Sequence, residues 1–215
     1  ALALTMSLGI AAPASASTQF TFINGGTVTA FGYYIGQYAG YQGAPVNANV
    51  LLNCVDFYHH VQNGQVWDAN LTSLSPSAGW DGSNTRFNNL TLYRQAAWLT
   101  TQYATASAAD VAQIQATIWN LFPGSPTPPA VSPSSTWLTQ AQTYVATNTN
   151  DATYQSFFVV TDVNKSDPNS VQEFIIYDDT FNPNVTPTPE PATLMLVATG
   201  IAGIAGVRIR RRNKK

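Results

Sequence analysis

The sequence predicts an α+β fold: an antiparallel β-sheet or sandwich core with an inserted three-helix subdomain, followed by a single membrane helix at the C-terminus. Two observations support the core and its insertion. Runs rich in β-branched and aromatic residues flank a central region, and in that region apolar residues recur at helical spacing. The third observation is the uncharged apolar run Ala192–Val207, which a basic cluster follows at once.

The strand pattern appears before and after the central region. The first segment, Asn49–Phe57, alternates so that one face is expected to hold Val50, Leu52 and Cys54. An Asn63-Gly64 pair then leads into a second β-prone run, Gln65–Leu74, and this arrangement predicts a hairpin. After the central region, two further runs at 156–163 and 171–178 flank a polar turn. They are expected to pair as a second hairpin.

Three helices are predicted in the central region. The first is indicated by a stripe at helical spacing, formed by Leu92, Ala96, Leu99 and Tyr103. The second begins after Ser107, where Ser107 and Asp110 have the spacing of a capping box, and Pro123-Gly124 ends it. Its apolar stripe consists of Val111, Ile114, Ile118 and Phe122, with Gln115 one step away. The third is marked by Trp137, Ala141, Tyr144 and Val145.

The two ends of the chain carry targeting features rather than core-forming ones. Residues 1–16 are expected to be the remnant of a signal peptide, because they are small and apolar and end in the cleavable pattern Ala14-Ser15-Ala16. Residues 17–181 then form the surface domain, and 182–188 form a linker rich in Pro and Thr. The remaining segment, 189–215, is expected to be a sorting signal with a membrane helix and a basic tail.

The sorting signal combines three parts in a fixed order. Pro189-Glu190-Pro191 precedes the apolar run, and the basic cluster after it includes Arg208, Arg210, Arg211 and Arg212. This order resembles the PEP-CTERM sorting tail of Gram-negative bacteria. The resemblance implies that an exosortase-type enzyme cuts near the Pro-Glu-Pro triplet. The protein would be anchored transiently in the inner membrane and then released to the cell surface or the exopolysaccharide matrix.

Charge and cysteine usage narrow the possible functions of residues 17–181. Three basic residues against ten acidic ones give this segment a net charge of −7, which excludes a nucleic-acid footprint. The single cysteine, Cys54, has no partner for an internal disulfide although the protein is exported. It is a buried thiol, half of an intermolecular disulfide, or covalently joined to a side chain other than cysteine. Lipidation is disfavoured by its distance from the signal cleavage site.

Three motifs occur in order along this domain. They are Leu52-Asn53-Cys54-Val55-Asp56, Tyr93-Arg94-Gln95-Ala96-Ala97-Trp98-Leu99 and Ile114-Gln115-Ala116-Thr117-Ile118-Trp119. Together they resemble the thioester (TQXA) domains of bacterial surface adhesins. The resemblance implies that the Cys54 sulfur and the Gln115 carbonyl join as an internal thioester, with loss of ammonia. It further implies an adhesin that couples covalently to a surface or matrix target bearing an amine or a hydroxyl.

Two other functions are compatible with the same residues. One is a noncovalent structural or carbohydrate-binding module of the biofilm matrix with a free Cys54. The other is a Cys-dependent hydrolase, in which His60 would assist because strand parity places it on the Cys54 side. One cysteine and two adjacent histidines do not make a metal-ligand set. We therefore expect no metal, no cofactor and no enzymatic turnover.

Overall fold

The computed structural model describes residues 17–43, 48–122 and 134–179. The strands are β1 Thr18–Asn24, β2 Thr29–Ala30, β3 Tyr33–Tyr34, β4 Gln37–Gln42, β5 Ala48–Cys54, β6 Val66–Ser73, β7 Phe157–Asp162 and β8 Phe174–Tyr177. The helices are α1 Leu90–Thr101, α2 Ala108–Leu121 and α3 Ser135–Thr147.

Six of the strands close into an antiparallel barrel. The order around the barrel is β1-β4-β5-β8-β7-β6, and β6 pairs back onto β1 to complete it. The short strands β2 and β3 form a separate two-stranded sheet. A mixed fold with an antiparallel core and three helices is thus confirmed, and the core, predicted as an antiparallel sheet or sandwich, is a closed barrel. A closed barrel has no unpaired strand edges. Buried and exposed residues alternate along each strand in a barrel as they do in a sandwich, so the sequence pattern does not distinguish the two.

Aromatic side chains fill the barrel interior. Phe20 stacks on Trp67 with ring centroids 5.7 Å apart, and Trp67 lies 5.9 Å from Phe174. Tyr38 meets Phe174 edge-on at 6.2 Å and Phe22 edge-on at 5.7 Å. All five are buried, and they come from β1, β4, β6 and β8. These large rings supply the apolar burial that stabilises a domain with few charged residues.

The two predicted hairpins have opposite outcomes. The turn at Asn63-Gly64 is present, and Gly64 has a φ of +80°. However, β5 pairs with β4 and β8, while β6 pairs with β1 and β7, so the first hairpin is wrong. The loop after β5 instead crosses to the far side of the barrel. The second hairpin is confirmed, because β7 and β8 pair with Phe157 opposite Tyr177.

The three helices are inserted between β6 and β7, as predicted. Each begins at a side-chain cap: Asn89 accepts from the Leu92 N–H, Ser107 from the Asp110 N–H, and Ser134 from the Trp137 N–H. Tyr103 differs from its predicted place in the first helix. It lies in a short 3₁₀ turn, Gln102–Ala104, that follows α1.

Several predictions concern residues outside the described ranges. These are the signal peptide remnant, the linker at 182–188 and the sorting signal with its membrane helix. None of the three helices within the described ranges is long and apolar enough to cross a membrane.

Candidate functional site

Cys54 is the last residue of β5 and faces the inserted helices. It is 2 % exposed and pairs in register with Phe174 of β8. Its Sγ donates to the carbonyl oxygen of Asp56 at 3.2 Å, and Nε1 of Trp119 donates to Sγ at 3.5 Å. The predicted strand position of Cys54 is therefore confirmed. The sulfur contacts α2 directly through Trp119.

Gln115, in the middle of α2, lies against the same point of the barrel. Its side chain is fully buried, and its Nε2 donates to the backbone carbonyl of Cys54 at 2.9 Å. Its Oε1 accepts two hydrogen bonds, from the Tyr103 hydroxyl at 2.9 Å and from the Gly36 N–H at 3.3 Å. The structure thus brings Cys54 and Gln115 together and holds the carboxamide in one orientation.

Local sequence explains how these groups converge. Gln115 and Trp119 are four residues apart, so they share one face of α2, and both reach Cys54 from it. Gly36 has a φ of +84°, a left-handed conformation that turns its N–H toward the helix just before β4. A Cβ at this position would lie 3.2 Å from Cγ1 of Val111, also on α2.

The free Cys54 thiol is a poor nucleophile in this environment. Burial, the largest cause, raises its pKa to about 12, and the hydrogen bond from Trp119 lowers the pKa by less. The nearby charge of Asp56 raises the pKa further. At neutral pH the sulfur is therefore protonated, so any reaction that it enters, with a substrate or with Gln115, starts from the thiol rather than the thiolate.

A small cavity of about 140 Å³ connects Cys54 with solvent. Its walls are largely aromatic, and Phe57 lies between Tyr33, at 5.0 Å, and Trp119, at 4.8 Å between ring centroids. His60 also lines the cavity and is exposed. The parity argument for His60 fails, because β5 ends at Cys54 and the chain then bends.

A buried polar cluster beside Cys54 was not predicted from the sequence. Oδ2 of Asp56 lies 2.5 Å from Nδ1 of His59 and 3.1 Å from Nε of Arg86. Arg86 also donates to the carbonyls of Lys165, at 2.6 Å, and Val171, at 2.8 Å, both in the β7–β8 loop. The sequence feature that could have pointed to this cluster is the small number of basic residues in the domain. Two of the three basic residues of the domain, Arg86 and Arg94, form ion pairs, with Asp56 and Asp151.

Glu173 extends this cluster into the barrel wall. Its fully buried carboxylate accepts from the Tyr93 hydroxyl, from Oγ1 of Thr161 at 2.6 Å and from the Arg86 N–H at 3.0 Å. Burial is the largest influence on its pKa and raises it from 4.5. The hydrogen bonds from Thr161 and Tyr93 and the nearby Arg86 act in the opposite direction.

The raised pKa of Glu173 predicts a pH-dependent stability. Above pH 4.5 the native state binds more protons at this site than the unfolded state does, so the free energy of unfolding should fall as pH rises through the native pKa. Glu173→Gln should flatten that part of the curve, and Asp68→Asn, an exposed control, should not. Urea unfolding between about pH 4 and 8 measures this. Parallel curves for wild type and Glu173→Gln would contradict it.

Metal chemistry has no evident site in this part of the chain. Within residues 17–43, 48–122 and 134–179, no group of three or more His, Cys, Asp or Glu side chains is arranged to hold a metal ion. Asp56 and His59, two side chains near Cys54 that could ligate a metal, contact each other, and Asp56 also pairs with Arg86.

Comparison with known proteins identifies the sorting signal. The PEP-CTERM protein-sorting motif matches residues 187–212, which confirms the predicted tail with its Pro-Glu-Pro triplet and arginine cluster. The chain is therefore an exported protein, anchored transiently in the membrane and sorted by an exosortase to the cell surface. No curated protein and no solved structure matches the chain.

Proposed function

We propose that the described domain is a surface or matrix adhesin that couples covalently to its target through a thioester between Cys54 and Gln115. One observation carries the proposal: a fully buried carboxamide is hydrogen-bonded to the backbone of the only cysteine, with the cysteine sulfur buried beside the same helix. A lone glutamine in a core is normally held by hydrogen bonds alone. The coincidence with a lone, exported cysteine makes a cross-link the better account.

The reaction balances without any further reagent. The Cys54 sulfur attacks the Gln115 carbonyl carbon, the C–N bond of the carboxamide breaks, and the sulfhydryl proton leaves with the nitrogen as ammonia. An amide is a weak electrophile, and burial side by side supplies the effective concentration that the step requires. In a second reaction, a target amine attacks the thioester carbonyl. An amide to Gln115 forms and the Cys54 thiol is released.

The aromatic surface near the cavity favours a second candidate, a noncovalent carbohydrate-binding module. Tyr33, Tyr34 and Tyr58 are all exposed, and the first two line the cavity that reaches Cys54. Exposed rings of this kind suit stacking against sugars. In this alternative Cys54 stays a free, buried thiol, and the exported protein contributes to the matrix without forming a covalent bond.

The intact mass of the mature domain should distinguish the two candidates. A thioester makes the protein lighter by one ammonia, whereas a free thiol leaves the mass that the sequence gives. Alkylation should be tested in denaturant at mildly acidic to neutral pH, because a buried thiol with a pKa of about 12 resists alkylation in the folded state whether or not it is acylated. Full mass together with rapid alkylation of the denatured protein would refute the thioester and favour the noncovalent module.

A further inference from the structure

We propose that the Tyr103 hydroxyl and the Gly36 N–H form an oxyanion site for the Gln115 carbonyl. This inference rests on the proposed function and adds the groups that activate the bond. Both donors point at a single atom, Oε1 of Gln115, at 2.9 Å and 3.3 Å. They come from the turn after α1 and from the loop before β4, so separate elements of the fold converge on that oxygen.

The carbonyl oxygen is where charge develops in both reactions. When sulfur attacks the carboxamide, or an amine attacks the thioester, the carbonyl becomes tetrahedral and its oxygen gains negative charge. Donors that are already oriented toward this oxygen stabilise the charge at little reorganisation cost. The oxygen and its tyrosine donor are shielded from solvent, because Gln115 is fully buried and Tyr103 is 8 % exposed. Electrostatic interactions are stronger in such a setting than in solvent.

Tyr103 is suited to remain a donor. Burial, followed by the proximity of Cys54, raises the pKa of Tyr103 well above 10, so its hydroxyl keeps its proton at any physiological pH. The backbone N–H of Gly36 does not lose its proton. Its direction depends on the left-handed backbone conformation of this residue, which favours glycine. A third donor, Nε1 of Trp119, lies on the sulfur and not on the oxygen. It therefore acts on the thiolate leaving group of the second reaction.

Removing one donor should slow the chemistry without removing the bond-forming pair. Tyr103→Phe deletes only the hydroxyl, and we expect the rate of methylamine uptake by the thioester to fall by roughly 100-fold or more, the usual effect of losing one oxyanion donor. The matched control is Tyr154→Phe. It deletes another buried hydroxyl, one that has no hydrogen-bond partner among the described residues, and should leave the rate unchanged.

A fluorinated variant, together with the intact mass of the wild type, separates the possible outcomes. Site-specific 3-fluorotyrosine at position 103 keeps the ring in place but makes a more acidic donor, so uptake should be faster than in wild type. A purely structural Tyr103 would not produce this change. Suppose that the wild type shows the mass deficit while Tyr103→Phe and the fluorinated variant take up methylamine at the wild-type rate. That result would refute the oxyanion site and leave the thioester in place. A full-mass wild type would refute both together.

Discussion

Substituting Arg86 with methionine is expected to lower the free energy of unfolding by about 3–5 kcal/mol. The Arg86 side chain is 8 % exposed and its partner Asp56 is 2 % exposed, so the variant leaves a buried carboxylate that has lost its arginine. The remaining contacts of that carboxylate are with His59 and the Tyr58 N–H. The variant also loses the donors that attach the β7–β8 loop to the segment before α1. Methionine keeps most of the volume, so the loss reports mainly on charge and hydrogen bonding.

Arg94→Met is the matched control for this prediction. Arg94 also forms an ion pair, but its partner Asp151 is 34 % exposed and would be solvated when the arginine is removed. We therefore expect a smaller loss for Arg94→Met, measured by urea unfolding of both variants under the same conditions. The double variant Arg86→Met with Asp56→Leu should recover part of the stability, because the Asp56 carboxylate is then no longer buried without its arginine. Arg94→Met also removes a hydrogen bond to the Leu74 carbonyl and the contact with the Tyr154 ring, so it is a demanding control. Equal losses for the two arginine variants would contradict the larger effect expected for Arg86→Met.

The helical part of the fold was predictable because its signals are local. The caps at Ser107 and Asn89 and the apolar spacing on α2 act within one or two turns of the chain. Barrel closure was not predictable in this way. Pairing of β6 with β1 depends on contacts between segments far apart in sequence, and alternation shows which face is buried but not which strand lies beside it.

In the candidate site too, some features follow from the sequence and others depend on how the chain folds. Cys54 and Gln115 were proposed as neighbours from the resemblance of the three ordered motifs to thioester domains, with the single exported cysteine as a supporting observation. Tyr103 was assigned to a helical stripe, and its hydroxyl contact with Gln115 depends on the 3₁₀ turn that reorients it. His60 was chosen by strand parity, which requires a strand longer than β5. His59, three residues after Asp56, is the histidine that the structure pairs.

Abolition of amine uptake is the largest effect expected from any substitution. Cys54→Ala and Gln115→Ala should each reduce methylamine incorporation to background and restore the mass that the sequence gives. The double variant should behave like either single variant, because each change removes the same bond. The control is Gln95→Ala. Gln95 is another buried glutamine, on the neighbouring helix α1, and its loss should leave uptake intact.

The Gln115→Ala variant also tests the state of the sulfur. Without an acyl partner, Cys54 should be a free thiol, which alkylates slowly in the folded protein at neutral pH and faster as pH rises toward about 12. In denaturant it should alkylate at once, whereas wild-type Cys54 should stay blocked until an amine or hydroxide opens the thioester. A Cys-dependent hydrolase would behave differently, because its activity would survive Gln115→Ala and be lost only in Cys54→Ala. Amine uptake that persists in Gln115→Ala would therefore overturn the assignment of Gln115 as the acyl group.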